Sequence, residues 1–171
     1  CSCSRLRLDM NNPRDHRIEN VPFIAQNNLN CGIQSILIVM GYWRNNPTFS
    51  FDTKLKNSEN LSLKTLKQLA KSNGFNVQLS FSSPRNLADI IDSGLPVIAV
   101  IDNADSINLF TEDKKIKGHA LVVFGYNDQD KKVFVHTGNS PQLTIPYSIF
   151  FEQWSSSGFA SVLIWPEDFS I

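Results

Sequence analysis

The chain has 171 residues, of which 42% are hydrophobic and 19% are charged, and this is the composition of an ordinary globular protein. Because 16 Lys and Arg balance 16 Asp and Glu, no charge of one sign covers the surface, and we expect no nucleic-acid partner. No apolar run reaches the roughly 20 residues that would cross a bilayer.

The first 20 residues are polar and lack periodicity, so we predict a flexible arm over residues 1–20 and one domain over residues 21–171. The arm is locally basic, which indicates a solvated segment, with contact to phosphate groups as the alternative. Mature bacterial lipoproteins begin with a cysteine that carries the lipid, and Cys1 fits this pattern. We therefore expect a membrane partner through a lipid on Cys1 and a location in the bacterial cell envelope. The alternatives are a fragment that happens to begin at cysteine and a cytoplasmic protein.

The segment VPFIAQ, residues 21–26, is predicted to be a short strand or an extended entry segment. Residues 32–43 are predicted to form an α-helix with one apolar stripe, because apolar side chains recur there at helical spacing. The stripe consists of Ile33, Ile36, Leu37, Met40 and Trp43. Residues 44–60 are predicted to be a loop.

The middle of the chain alternates helices and strands, and the C-terminal part is rich in strands. The predicted order is helix 61–73, strand 75–81, helix 84–93, strand 96–102, strand 119–126, strand 133–137, strand 142–147, a short helix 147–154 and strand 160–165. An Asn- and Asp-rich turn joins the strands on either side of residue 130 and predicts a hairpin. Helices that precede an antiparallel sheet favour an α+β fold over a doubly wound one.

Cys31 lies between a polar segment and the predicted helix 32–43. Unpaired backbone N–H groups at a helix N-terminus favour a thiolate, so we expect a lowered thiol pKa. Gly32 leaves room for another chain near the sulfur. Gln26 lies five residues upstream, where its amide can donate to an oxyanion, and one such donor typically contributes about 2.7–4 kcal/mol. Three cysteines are an odd number, which argues against a disulfide framework and leaves Cys31 free.

A reactive thiol of this kind needs a histidine as its base, and the chain has three. His16 lies in the predicted arm, and His136 lies on the return strand of the hairpin. His119 begins a strand after Gly118, where it can face a helix N-terminus across a cleft. A histidine with apolar neighbours is also often a structural core residue, and position alone leaves both interpretations of His119 open.

Two segments resemble the signatures of the papain-like bacteriocin-processing cysteine peptidases. VPFIAQNNLNCGIQSILIVMGYW has the VP pair, the glutamine, the Cys-Gly pair that opens a long helix and the terminal YW, and GHALVVFGYNDQDKKVFVHTG has the histidine that opens a strand, a turn and a returning strand. SLKTLKQLAKSNGFNVQ and LADIIDSGLPVIAVID also resemble the sequence between the two signatures. The resemblance covers roughly residues 21–166.

The resemblance implies a two-lobed papain-like fold, in which the helix that bears the nucleophile packs on an antiparallel sheet. It implies Cys31 as nucleophile, His119 as general base, Gln26 as oxyanion donor, a peptide or protein substrate, and no metal or cofactor.

The family usually has an Asp, often in Asp-Pro, after the strand that follows the histidine. Thr137 occupies about that position here, and Asn139 follows it. We rank Asn139 ahead of Thr137 as the group that orients His119, with a backbone carbonyl as a further alternative.

The best-known members are fused to an export transporter and cut after a double-glycine leader. This sequence contains neither a membrane-spanning segment nor an ATP-binding motif, so we expect a freestanding, lipoprotein-like branch and do not carry over the leader specificity. Because the usual Asp is missing, a catalytically inactive peptide-binding module remains an alternative. Another thiol-dependent acyl transfer, such as an amidase reaction, is the third.

Overall fold

The computed structural model describes residues 13–27, 29–50, 62–102, 107–109 and 116–169. Within these ranges there are four helices: α1 (Cys31–Trp43), α2 (Leu63–Ser72), α3 (Pro84–Asp92) and α4 (Tyr147–Ser155). The strands are β1 (Asp15–Arg17), β2 (Phe75–Phe81), β3 (Val97–Ile101), β4 (Ile107–Leu109), β5 (Ile116–Asn127), β6 (Lys132–Thr137), β7 (Ser140–Pro146) and β8 (Ala160–Pro166).

The eight strands form one sheet, and six of them follow each other in the order β2-β8-β3-β5-β6-β7. β1 and β4 also pair with β5, and every pairing is antiparallel. In the register between β3 and β5, Ile101 is opposite His119. The predicted α+β class, with helices packed on an antiparallel sheet, is confirmed.

Side chains alternate between the two faces of the sheet and form two separate cores. On the first face, α1 and α2 pack against Ile98, Val100, Ala120, Val122 and Val162. On the second face, α3 and α4 pack against Val97, Ala99, Ile101, Leu121 and Val123. The sheet is therefore covered on both sides, and α1 is the helix that lies against its centre.

Helix α1 begins directly after Asn30, whose side chain accepts a hydrogen bond of 2.7 Å from the Gly32 N–H. This is an ordinary N-cap, and it fixes Cys31 as the first helical residue. We predicted a helix with one apolar stripe over residues 32–43. The helix is confirmed, but all of its residues from Cys31 to Gly41 are buried, because the helix is packed on every side.

The predicted arm over residues 1–20 is too long. β1 pairs with β5, Ile18 is buried, and the Arg14 guanidinium contacts Asp89 and Asp92 of α3 at 3.1 and 3.2 Å. Residues 13–20 are thus attached to the sheet, and a three-residue strand is too short to show periodicity in the sequence. Residues 1–12, which include Cys1, lie outside the described residues.

Of the two alternatives predicted for residues 21–26, the strand is not formed. This segment has no strand partner, and it is held at its end by the Gln26 N–H, which donates to the Gly138 carbonyl at 3.0 Å. The other predicted helices and strands within the described ranges are present, with ends shifted by a few residues. None of the described helices has the length and apolar character that crossing a membrane requires.

Candidate active site

Cys31 lies where the N-terminus of α1 meets β5. Its Sγ accepts a hydrogen bond of 3.4 Å from the Ala120 N–H, so the sulfur lies against the backbone immediately after His119. The side chain is a free thiol and is only 3% exposed. The structure therefore brings together two sequence positions 88 residues apart that we had predicted to belong to one site.

The electrostatic setting of Cys31 differs from the one we expected. Burial raises the pKa of the Cys31 thiol, and the N–H groups of Ala120, Gly32 and Cys31 itself lower that pKa only in part. We expected a lowered pKa from the helix N-terminus alone. Because α1 is buried from its first residue, the loss of water around a charged sulfur outweighs the backbone N–H groups. The resting side chain is thus a thiol that needs a base.

His119 is the candidate base, and it is nearly buried, with 9% of its surface exposed. Its Nε2 makes a hydrogen bond of 2.7 Å with the Thr137 Oγ1 at the end of β6. Directly before it, Gly118 packs closely on β3: a Cβ atom there would lie 2.3 Å from the Val100 Cγ1 and 2.9 Å from the Ile101 carbonyl oxygen. His119 therefore has a fixed backbone and a hydroxyl partner.

The described contacts favour Thr137 over Asn139, which is the opposite of our ranking. The Asn139 Oδ1 accepts a hydrogen bond of 3.2 Å from the Asn27 N–H, whereas Thr137 is the residue bonded to the His119 ring. The reason is the turn between β6 and β7, which directs Thr137 toward β5 and Asn139 toward the Gln26 segment. In the described contacts, Asn139 bonds to the backbone of the Gln26 segment near the candidate site.

Gln26 lies beside the same turn. Its backbone N–H donates to Gly138 O, and a Cβ atom at Gly138 would lie 3.9 Å from the Gln26 Oε1. The Gln26 carbonyl accepts the Leu29 N–H at 2.6 Å, which ties Gln26 to a residue just before α1. The segment of Gln26 is thus fixed between the turn and the start of α1.

Gln34 was missed by the sequence interpretation. It lies one turn of helix after Cys31, is 1% exposed, and its Nε2 donates to the Ile24 and Gly138 carbonyls at 2.8 and 2.5 Å. The available signal was a long polar side chain within the apolar helix sequence GIQSILIVM.

Within the described ranges, no group of three or more His, Cys, Asp or Glu side chains is arranged to hold a metal ion. The described contacts are instead those of a thiol held against the β5 backbone next to His119 and of an imidazole bonded to a hydroxyl, with backbone N–H groups at a helix N-terminus. This set matches acyl transfer through a sulfur nucleophile.

A helix that starts at a buried cysteine and packs on an antiparallel sheet beside a histidine is the layout of the papain-like cysteine peptidase fold. Residues 18–162 match the model of the Peptidase_C39 like family. Since the match covers most of the chain, the chain belongs to this family, and the resemblance to bacteriocin-processing peptidases is confirmed at that level.

Two solved structures have the same fold. A Bacillus anthracis protein described as a C39-like peptidase is 16% identical, with a TM-score of 0.63 over 89% of this chain and 98% of that one. The peptidase domain of Streptococcus ComA, a bifunctional ABC transporter of a quorum-sensing pathway, is 16% identical, with a TM-score of 0.56 over 85% of this chain and 96% of that one. No curated protein sequence matches the chain significantly.

Proposed function

We propose that the protein is a cysteine peptidase that hydrolyses peptide bonds with Cys31 as nucleophile and His119 as general base. One observation carries the proposal most directly: the Cys31 Sγ is bonded to the N–H of the residue that follows His119. Membership of the family supports the class of reaction. Because burial keeps Cys31 in its thiol form, we propose that a neighbouring base deprotonates the sulfur when substrate is present.

The first chemical step begins with a neutral thiol, because burial raises the pKa of Cys31. His119 takes the thiol proton while the sulfur attacks the peptide carbonyl carbon, and the carbonyl oxygen becomes an oxyanion. The resulting imidazolium then gives its proton to the leaving amine, and a thioester remains on Cys31. Water, deprotonated by His119, attacks the thioester, releases the carboxylic acid and restores the thiol.

The oxyanion needs hydrogen-bond donors that are in place before the reaction. We propose the Gln26 side-chain amide as one donor and a backbone N–H at the start of α1 as another. The bonds from Gln26 N–H to Gly138 O and from Leu29 N–H to Gln26 O support this assignment, since they fix the backbone from which the amide projects. One well-placed donor typically contributes about 2.7–4 kcal/mol to transition-state binding.

Thr137 is proposed to orient the imidazole in place of the Asp that the family usually has. A hydroxyl can accept a hydrogen bond from the ring or donate one to it, so this contact is compatible with both neutral and protonated His119. It gives less charge stabilisation to an imidazolium than a carboxylate does, and we expect a slower enzyme than relatives with Asp.

The substrate class is a peptide or protein, without the double-glycine leader specificity of transporter-fused relatives. The test is digestion of a mixed peptide library followed by mass spectrometry, with Cys31→Ala as the blank and Cys3→Ala as the matched cysteine control. Cleavage by the parent and by Cys3→Ala, but not by Cys31→Ala, supports the proposal. Cleavage that survives in Cys31→Ala overturns it.

A second candidate is a peptide-binding module that does not cut. The observation that favours it is the raised pKa of Cys31, together with Thr137 in place of an acidic residue. This candidate predicts equal peptide binding by the parent and Cys31→Ala, with no turnover in either. Products that carry an added amine instead of a new carboxylate would instead indicate another thiol-dependent acyl transfer.

Lipid attachment at Cys1 and an envelope location are proposed from the sequence. Cys1 lies outside the described residues. Metabolic labelling of the cells with a fatty-acid analogue tests the attachment, with Cys1→Ser as the control.

A further inference from the structure

Gln34 is a polar side chain in the most apolar helix of the protein. Its neighbours Ile33, Ile36 and Ile38 are fully buried, and Gln34 itself is 1% exposed. Both donors of its amide nitrogen are used, one by the Ile24 carbonyl and one by the Gly138 carbonyl. Gln34 thus joins three parts of the chain: helix α1, the segment that leads to Gln26, and the turn between β6 and β7.

The Gly138 carbonyl is the point where these parts meet. It accepts from the Gln34 Nε2 at 2.5 Å and from the Gln26 N–H at 3.0 Å. Gly138 has a φ of +54°, in the left-handed region that favours glycine, so the direction of this carbonyl is set by an unusual backbone conformation.

The residues on either side of Gly138 reach the other two parts of the candidate site. Thr137 bonds to the His119 ring, and the Asn139 Oδ1 accepts the Asn27 N–H. A displacement of the Gly138 carbonyl would therefore move the partner of the base and the support of the Gln26 segment together.

The chemistry of the contacts selects a glutamine. An amide nitrogen has two hydrogens for two carbonyl oxygens, whereas an ionised Glu has only acceptors and a Met has no donor. The Gln34 Oε1 is buried and has no hydrogen-bond partner among the described residues. An unpaired buried acceptor is unfavourable, so the two bonds from the nitrogen, and not the oxygen, are the contribution of this side chain.

We propose that Gln34 is a positioning residue, which holds the Gly138 carbonyl so that Thr137 and Gln26 stay aligned with Cys31. The inference rests on the proposed peptidase function for its catalytic consequence, but its structural part does not. It assigns a role to a side chain that contacts neither the sulfur nor the imidazole in any described hydrogen bond.

The first experiment measures amide hydrogen exchange in the parent and in Gln34→Met. Loss of the contact to Gly138 is expected to speed exchange at the Gln26 and Asn27 amides by about tenfold, while amides between β2 and β8 stay unchanged. Gln78→Met is the matched control, because Gln78 is an exposed glutamine on β2. If Gln34→Met does not fold, Gln34→Glu, which preserves the side-chain volume, replaces it in the same measurement.

The second experiment measures kcat and KM on a peptide that the parent cleaves. Misalignment is expected to lower kcat about 10- to 100-fold with little change in KM. Ile38→Val, which trims a buried residue of the same helix, controls for a loss of stability alone. In Gln34→Glu, protonation of the new carboxyl restores one donor, so the ratio of its kcat to that of the parent should rise as the pH falls.

The outcomes separate the inference from the proposed function. Unchanged exchange at Gln26 and Asn27 in a folded variant overturns the inference, and so does a kcat no lower than that of Ile38→Val. If the parent cleaves nothing, the proposed function fails, and the rate at which iodoacetamide labels Cys31 is measured in place of kcat. Equal labelling rates in the parent and Gln34→Met would then overturn the inference, while a changed rate together with faster exchange would support it.

Discussion

Two histidines lie on the neighbouring strands β5 and β6, and both are nearly or fully buried, but their surroundings differ in kind. His136 on β6 is 2% exposed and stacks on Phe124, with ring centroids 4.4 Å apart. The Gln142 N–H donates to its Nδ1 at 3.1 Å, which leaves the proton on Nε2, and Nε2 donates to the Val21 carbonyl at 3.1 Å. Both nitrogens of His136 are therefore bonded to backbone groups, one of which can only donate and the other only accept.

His119 has a partner of another type, because the Thr137 hydroxyl can act as donor or acceptor. A second proton on His136 would face the Gln142 N–H, whereas His119 can gain or lose a proton without breaking its bond to Thr137. Burial alone therefore does not separate a structural histidine from a candidate base. The two histidines differ in whether a hydrogen-bond partner can act only as donor or only as acceptor, as at His136, or as both, as at His119.

The largest effect expected from this comparison is on turnover. We expect His119→Gln to lower kcat/KM by about 10²–10⁴-fold, the usual contribution of a general base, and His136→Gln to lower it far less. The measurement is steady-state cleavage of a peptide selected from the library. Urea unfolding curves confirm that both variants are folded. A His119→Gln protein with parental turnover would show that the two histidines are equivalent in function and would remove His119 from the mechanism.

The places of Cys31 and His119 in the fold were predictable from the sequence, because both lie at or near the start of a regular element. Cys31 follows an Asn N-cap and opens a helix, and His119 follows a glycine near the start of a long strand. The fold class followed from the order of helices and strands. The starts of helices and strands are local features, and the periodicity of apolar residues and the capping residues predict them.

The remaining features depend on contacts between distant segments. The raised pKa of Cys31 follows from how deeply α1 is packed, and helix sequence alone does not give depth. The exchange of roles between Thr137 and Asn139 depends on the geometry of one turn with a left-handed Gly138. The pairing of residues 15–17 with β5 depends on an edge that exists only after the sheet has formed.

The next effect is on stability and concerns His136. We expect His136→Leu to lower the free energy of unfolding by about 2 kcal/mol, because the Val21 carbonyl and the Gln142 N–H lose their partners. His16→Leu is the matched control, since His16 is an exposed histidine on β1, and it should change stability little. Urea denaturation followed by tryptophan fluorescence measures both. Equal losses in the two variants would contradict a structural role for His136.

A smaller effect is expected at Thr137. Removing its hydroxyl in Thr137→Val should lower kcat about tenfold, because the imidazole loses a partner that holds its orientation, and Thr137→Ser should retain most of the activity. Thr144→Val, on the exposed part of β7, is the control for the same change elsewhere. If Thr137→Val and Thr137→Ser behaved alike, the hydroxyl would have no role in orienting His119.

The smallest effect is the pH dependence that His136 gives to stability. Burial lowers the pKa of His136 from its ordinary value of 6.5, the bond to the Val21 carbonyl raises that pKa, and the nearby Arg17 lowers it. The Arg17 guanidinium lies over the Phe124 ring, 5.4 Å from its centroid, and Glu19 lines the cavity beside His136. The fold therefore favours the neutral imidazole.

The sign follows from linkage. Because the folded-state pKa is lower than the unfolded-state value, the contribution of His136 is complete above pH 6.5 and is lost as the pH falls through the folded-state pKa. The free energy of unfolding of the parent minus that of His136→Gln should thus be constant at neutral pH and become smaller on acidification. Urea midpoints of both proteins between about pH 7.5 and 5 measure this difference. If the stability difference between the two proteins stayed constant over this range, the folded protein would not favour the neutral form of His136. The contrast with His119 would then depend only on the activity measurements.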